Sequence, residues 1–323
     1  MTVMLFAVLN LTAFAGTPLD LVPEDAAFVV SFNLGKLLTT EAIKKQVDEG
    51  MAKQTPDQKK SYDEFVAKTG IDPLKNIKEV YMFINAKGDA KTDKPKGGVL
   101  INGTFNPEQI FKAIKEDKNA AADTVIEKFE GLDVIKGKKD PDSMGAFLDN
   151  NTALIGSAEV VKAIVAVKAG KGKNIASNAA FGTVLKKADI AAGVWGVGLV
   201  PQALKEQAKA NPQAAPLAAI NALFFSFNYD PDLNFNFTGE VDKKESMDGV
   251  MTSLNGFLAM IKMMAGQSPE AAEILNMIKV EAADTSAKIN LSVSKTKLDE
   301  IKKKIEDKMK AAPAPAPAGD EKK

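Results

Sequence analysis

The chain has no cysteine and no histidine, and every one of its 42 basic residues is lysine. Without cysteine there are no disulfides and no thiol nucleophile, and without histidine there is no Ser-His-Asp triad. The two absences together remove the usual zinc sites. Without arginine there is no planar fork for bidentate recognition of phosphate, carboxylate or guanine. The 42 acidic residues balance the 42 lysines, so no global field steers the molecule to nucleic acid or anionic lipid. Carboxylate acid–base work, Ser-Lys chemistry, oxygen-ligand metals and binding without catalysis remain open, and no cofactor is implied. The missing cysteine says nothing of compartment, because an exported protein is free to use disulfides and not obliged to.

What is present is ordinary for a globular chain. Its 323 residues are 45% hydrophobic and 26% charged, enough for one large domain or two ordinary ones with a sizeable core. Residues 1–15 carry no charge, and Ala13-Phe14-Ala15 makes an A-x-A site before Gly16. The apolar stretch Val3 to Leu11 fits the h-region of a signal peptide and is too short to span a membrane. A signal peptide over 1–15 is therefore expected, with the mature chain periplasmic or extracellular. The n-region lacks Lys and Arg, which leaves a buried first strand or helix as the alternative. No later stretch reaches the roughly 18 apolar residues of a transmembrane helix.

Periodicity places a strand at Ala26 to Asn33, then helices at Lys36 to Met51 and Asp57 to Lys68, the latter stopped by Gly70. Strands follow at Glu79 to Asn85 and Gly98 to Thr104. Asn106-Pro107-Glu108-Gln109 opens a helix with an N-cap and Pro at the first position, and Ile110, Phe111 and Ile114 form its apolar face. A strand-rich section from Thr124 to Ile155 leads to Ser157, the cap of a helix ending at Gly170. The second half repeats this order. A strand at Ala191 to Val200 precedes a Pro-interrupted helical region to Ala219, then strands at Ile220 to Tyr229 and Leu233 to Val241. Asp242 with Glu245 is expected to cap the next helix. Strands at Ile278 to Ala283 and Ala287 to Val293 lead to a last helix from Lys295 to Lys310.

Residues 77–85 align without gaps on 220–228, and Gly103 to Gln109 on Gly239 to Glu245, offsets of 143 and 136. The expectation is an α+β fold of two similar tandem halves, 16–173 and 174–311, each β-α-β-β-α-β-β-α. Each half is expected to form an antiparallel sheet with helices packed on one face. Shared strand-turn-helix grammar without duplication is the alternative. The Ala-Pro run over 312–323 has no apolar bulk to pack and is expected to be a solvated tail.

Several segments taken together, Leu21-Val-Pro-Glu-Asp-Ala-Ala-Phe-Val-Val30, Thr69-Gly-Ile-Asp-Pro73, Gly98 to Phe105 and Leu154-Ile-Gly-Ser157, resemble a group of exported bacterial proteins known only as a domain of unknown function. The resemblance covers most of residues 20 to 170. It implies export and a duplicated α+β fold, and it carries no activity or catalytic residue.

Candidate chemistry is sparse. Asp140, Asp142 and Asp149, and separately Asp230 and Asp232, offer oxygen ligands, but Asp-Pro-Asp between strands is ordinary turn chemistry and no metal site is assigned. Ser294 and Lys297 have Ser-x-x-Lys spacing, yet Ser294 is explained as an N-cap, like Ser157. Gly170 to Lys173 and Gly193 to Gly198 lack the context of a phosphate loop. The sequons at Asn102, Asn150, Asn236 and Asn290 mean little if the chain is bacterial, as the resemblance implies. The Lys-rich terminal helix alternates with acids and makes a solvated face. The strongest lead is the helix after Asp242. Phe257, Met260, Ile261, Met263 and Met264 lie in a segment apolar on nearly all sides, which is either deeply buried, the commoner fate, or a ligand- or partner-binding face.

A non-enzymatic exported protein is therefore expected, binding an apolar or envelope ligand, a lipid for instance, or a partner protein, between its halves. An envelope scaffold without a small ligand and a carboxylate- or metal-dependent hydrolase are the alternatives.

Overall fold

The computed structural model describes residues 17–85, 96–140, 142–266 and 268–311, so the expected signal peptide and Ala-Pro tail lie outside the described residues. The first elements are β1 (Ala26–Phe32), α1 (Leu34–Leu37), α2 (Glu41–Ala52), α3 (Pro56–Thr69), α4 (Pro73–Asn76), β2 (Ile77–Asn85) and β3 (Gly97–Gly103). Next come α5 (Pro107–Glu116), α6 (Lys118–Asp123), β4 (Thr124–Phe129), β5 (Leu132–Gly137), β6 (Ser143–Asp149), β7 (Thr152–Ser157), α7 (Ala158–Lys168) and α8 (Ala179–Leu185). The remainder is β8 (Val194–Leu199), α9 (Gln202–Lys209), β9 (Ile220–Tyr229), β10 (Leu233–Val241), α10 (Met247–Ala265), α11 (Pro269–Leu275), β11 (Lys279–Ala283), β12 (Ser286–Val293) and α12 (Lys295–Ala311).

All twelve strands join one antiparallel sheet, in the order β11-β12-β10-β9-β8-β1-β2-β3-β7-β6-β5-β4. The expectation of a separate sheet in each half is corrected: β1 pairs with β8, from Phe28 opposite Gly198 to Phe32 opposite Val194, and fuses the two sets of strands. A strap over the same seam adds backbone hydrogen bonds from Ile175 N to the Val22 carbonyl (2.7 Å) and from Glu24 N to the Lys173 carbonyl (3.1 Å).

The helices do not keep to one face, a second correction. On one face, Val29, Tyr81, Phe83, Leu100, Leu154, Trp195 and Val197 share a core with Val160, Val161 and Ile164 of α7 and with Phe181 and Val184 of α8. On the other, α5 packs Ile110 and Ile114 over Ile101, Phe147 and Ala153. There too α10 packs Met247 and Val250 over Leu223 and Ala287. The physical reason is legible in the strands. Ala26-Ala27-Phe28-Val29-Val30 and Ala222-Leu223-Phe224-Phe225 are continuous apolar runs, the pattern of strands with apolar demands on both faces, whereas a one-faced sheet alternates.

Local capping fixes most helix starts. Thr55 and Gln58 make a reciprocal capping box, and the side chains of Asn106 and Ser157 accept the N–H of Gln109 and Val160. Asp242 does not cap α10. A turn of 3-10 helix occupies Lys244–Ser246, and α10 begins at Met247 with no side-chain cap.

Two facing glycines let α7 lie directly on the sheet. A Cβ on Gly156 would sit 2.6 Å from Val160 Cγ1, and one on Gly98 would sit 2.8 Å from the same atom. Gly156→Val is therefore expected to lower stability by about 1–3 kcal/mol through overpacking, measured as a lower midpoint of denaturant unfolding. An unchanged midpoint would show that α7 is not seated this closely.

Candidate ligand-binding groove

Side chains directly opposite one another in an antiparallel ladder share a face. Following the pairings across the sheet gives one continuous row on the face that carries α5 and α10. It runs Val280, Ile289, Phe237, Phe225, Gly196, Val30, Met82, Val99, Ile155, Gly145, Ile135, Ile126. Every strand contributes one residue, and none is polar. The neighbouring row through the central strands, Val194, Phe32, Val80, Ile101 and Ala153, is apolar as well.

Part of this face is uncovered. Met82, Ile84 and Ile155 are 47%, 46% and 44% exposed, high values for large apolar side chains pointing off the middle of a sheet. They line a groove of about 690 Å³ with Phe28, Val30, Phe32 and Val99, closed at the β6–β7 end by Asp140, Asp142, Ser143 and Ser157. That volume lies within the usual range for small-molecule sites. Beside the groove, the seam is built on glycine. A Cβ at Gly196 would collide with the ring of Phe225, and one at Gly198 with the ring of Phe28. The two rings stack at 6.3 Å over β8.

The residues singled out from the sequence lie elsewhere on the same side of the sheet. Met247, Val250, Met251 and Leu254 form the stripe by which α10 sits on the sheet. Beyond Leu254 that side of the helix runs on through half-buried Leu258, Lys262 and Ala265, and Phe257 and Ile261 at its margin are 37% and 47% exposed. Met260, Met263 and Met264 are 45%, 76% and 71% exposed. The expectation that burial is the commoner fate of this segment is corrected: these five side chains lie on the open side of α10. Phe257 and Met260 line a shallow cleft of about 450 Å³ with Pro212, Gln213, Pro216 and Thr252, whereas Ile261, Met263 and Met264 do not. The structure does not bring these five residues into the large groove. The groove residues are not evident along the chain because they come from four strands, β1, β2, β3 and β7, that are distant in sequence. The signal available was the double-sided apolarity of β1, β2 and β9.

Other candidates resolve into structural roles. Ser294 Oγ accepts the N–H of Lys297, and the Lys297 ammonium is engaged by Glu273 and Glu300. Asp149 accepts from Asn151 N and pairs with Lys168, and Asp232 accepts from Lys295 N. Among the described residues no group of three or more Asp or Glu could hold a metal ion. On the covered face, the Ser31 hydroxyl donates to Glu79 at 2.6 Å. Burial, with a hydrogen bond to Glu79, pushes the Tyr81 hydroxyl far above its usual range, so it stays a neutral donor. These groups are separated from the groove by the sheet.

No family model, curated protein or solved structure matches the chain, and the groove is interpreted from its own geometry.

The far end of α10 leads into α11, which is clasped to α12 by ion pairs. Glu270 meets Lys308, and Glu273 meets Lys297 and Lys304. Lys308 holds the Glu270 carboxyl below its ordinary 4.5, and Lys297 followed by Lys304 does the same for Glu273. A carboxylate whose pKa is depressed by folding contributes stability above its unfolded pKa and loses it as pH falls through the lower folded value. Amide-exchange protection of α11 and α12 is therefore expected to hold from neutral pH down to about pH 5 and to fall below about pH 4. In Glu273→Gln the acid-induced loss should be smaller.

Proposed function

We propose that the chain is a non-catalytic, exported binding protein whose uncovered sheet face seats an apolar ligand such as an acyl chain. The observation that carries this is the groove over Met82, Ile84, Val99 and Ile155, an apolar surface at the centre of the sheet with no helix above it among the described residues. Export is supported by the uncharged apolar segment and A-x-A site over 1–15. The scaffold alternative would use the sheet edges, and there β4 presents Glu127 and Lys128 while β11 presents Lys279 and Glu281, charges that discourage edge pairing.

The duplicated architecture is part of the same proposal, with halves at 16–173 and 174–311. The hairpin ladders support it. Ile77 faces Gly103 and Ile220 faces Val241, and each ladder shifts register just beyond that pair. This pairing matches Gly103 to Val241, two residues beyond the Gly239 of the motif alignment. The seam supports it too, because Val30 and Gly196 face one another at the middle of the β1–β8 ladder. The first half carries one further hairpin, β4–β5, at its outer edge.

The test is displacement of a neutral fluorescent apolar probe by a long-chain fatty acid or alcohol. Ile155→Lys and Met82→Glu are expected to weaken probe binding at least about tenfold, since each places an unpaired charge against the bound chain. Both positions are nearly half exposed, so unfolding should shift by only about 0.5 kcal/mol. Unchanged affinity in both variants would overturn the groove reading.

A further inference from the structure

We propose that the exposed side of the second half of α10 is a membrane-docking element, which inserts Phe257, Met260, Ile261, Met263 and Met264 into the surface layer of a lipid bilayer. This rests on the groove reading and names the source from which the groove would draw its acyl chains. These five residues fall within eight positions of one helix and are among the exposed large hydrophobics of the molecule, Met263 and Met264 being the most exposed of them. They lie on the open side of α10, while Leu258, Lys262 and Ala265 carry on the half-buried side by which the helix is held, so the exposed arc is presented by a docked helix. Because the held side packs on Leu223 and Ala287, α10 stands on the same face as the groove. Leu223 is opposite Gly198, which is opposite Phe28 of the groove lining.

The chemistry of the segment favours lipid over a protein partner. From Leu254 to Ala265 the only polar side chains are Asn255 and Lys262. A protein interface needs roughly one hydrogen bond per 100–200 Å² and a polar rim, which this surface cannot supply. Unbranched methionine side chains adapt to a disordered apolar medium. Lys262 is half-buried on the opposite side of the helix, so the exposed arc itself carries no charge. Residues 257–264 extend only about 12 Å as helix, far short of the ~30 Å hydrocarbon core. No helix among the described residues is long and apolar enough to cross a membrane, so α10 would lie in the interface. With acids and lysines balanced over the whole chain, insertion should depend on apolar burial and little on lipid charge.

The absence of cysteine permits a clean local test that residues 1–15 cannot confound. Met264→Cys and, as control on the opposite and polar face of β10, Asn236→Cys would each be labelled with an environment-sensitive nitrobenzoxadiazole dye. The labelled chains would be mixed with phosphatidylcholine vesicles. Expected is a several-fold rise in emission at position 264, quenched by spin-labelled acyl chains, with no change at 236. The rise should persist at high salt and should fall at least tenfold in vesicle affinity when Met260→Asp and Met263→Asp are added. No change at 264, an equal change at 236, or a response confined to vesicles containing phosphatidylglycerol and lost in salt would each overturn the proposal. The first of these outcomes would leave the face for a protein. Probe binding in the groove, measured on the same Asp variants, separates the two readings: it should be retained whether or not docking is lost.

Discussion

The pairing of β1 with β8 is the constraint on which the rest of this molecule depends. Each strand would otherwise present an apolar, unpaired edge in the middle of the chain's most hydrophobic region, a template for aggregation. Joined, they place Val29 and Trp195 in one core and make a single sheet of twelve strands. The glycines of β8 make that pairing possible on the other face, because Phe28 and Phe225 lie over Gly196 and Gly198 where any Cβ would collide. The strap over Val22 and Glu24 closes the seam from the N-terminal side.

A sheet apolar on both faces demands cover on both, and this chain supplies it unevenly. On one side α7 and α8 lie across the central strands, brought close by the facing glycines Gly98 and Gly156. On the other, α5 and α10 cover only separate flanks, at Ile101, Ala153 and Phe147 and at Leu223 and Ala287. Between them the row through Val30, Met82, Val99 and Ile155 is left as a groove. Exposed apolar surface of this extent is costly in water, and a bound apolar chain would offset that cost. The same economy of cover shows in α10, whose open side carries Phe257, Met260, Ile261, Met263 and Met264 exposed.

Much of the fold was legible locally. The hairpin β9–β10 falls where alternating apolar residues and Asp230-Pro231-Asp232 place it, and the caps at Asn106, Ser157 and Ser294 act as their side chains dictate. The Asp242 cap failed because the chain enters α10 through a 3-10 turn, which moves Glu245 out of the capping-box position. The box at Thr55 and Gln58 is as legible as the others, and the short helix α8 carries its own cap at Asn178. For the site, the Met-rich segment was visible because its residues are contiguous. The groove was not, because Phe28, Met82, Val99 and Ile155 become neighbours only through three strand pairings.

By itself the sequence determined the element types, the alternation of hairpins with helices, and the absence of every chemistry that needs histidine, cysteine or arginine. It also determined that α10 would be apolar almost all round. Only the tertiary structure decided that the two sets of strands share one sheet, which face each helix covers, and where cover runs out. The reason is physical. Propensity, capping and periodicity act over a few residues along the chain, whereas strand pairing and helix placement depend on which distant apolar surfaces meet first and fit most closely.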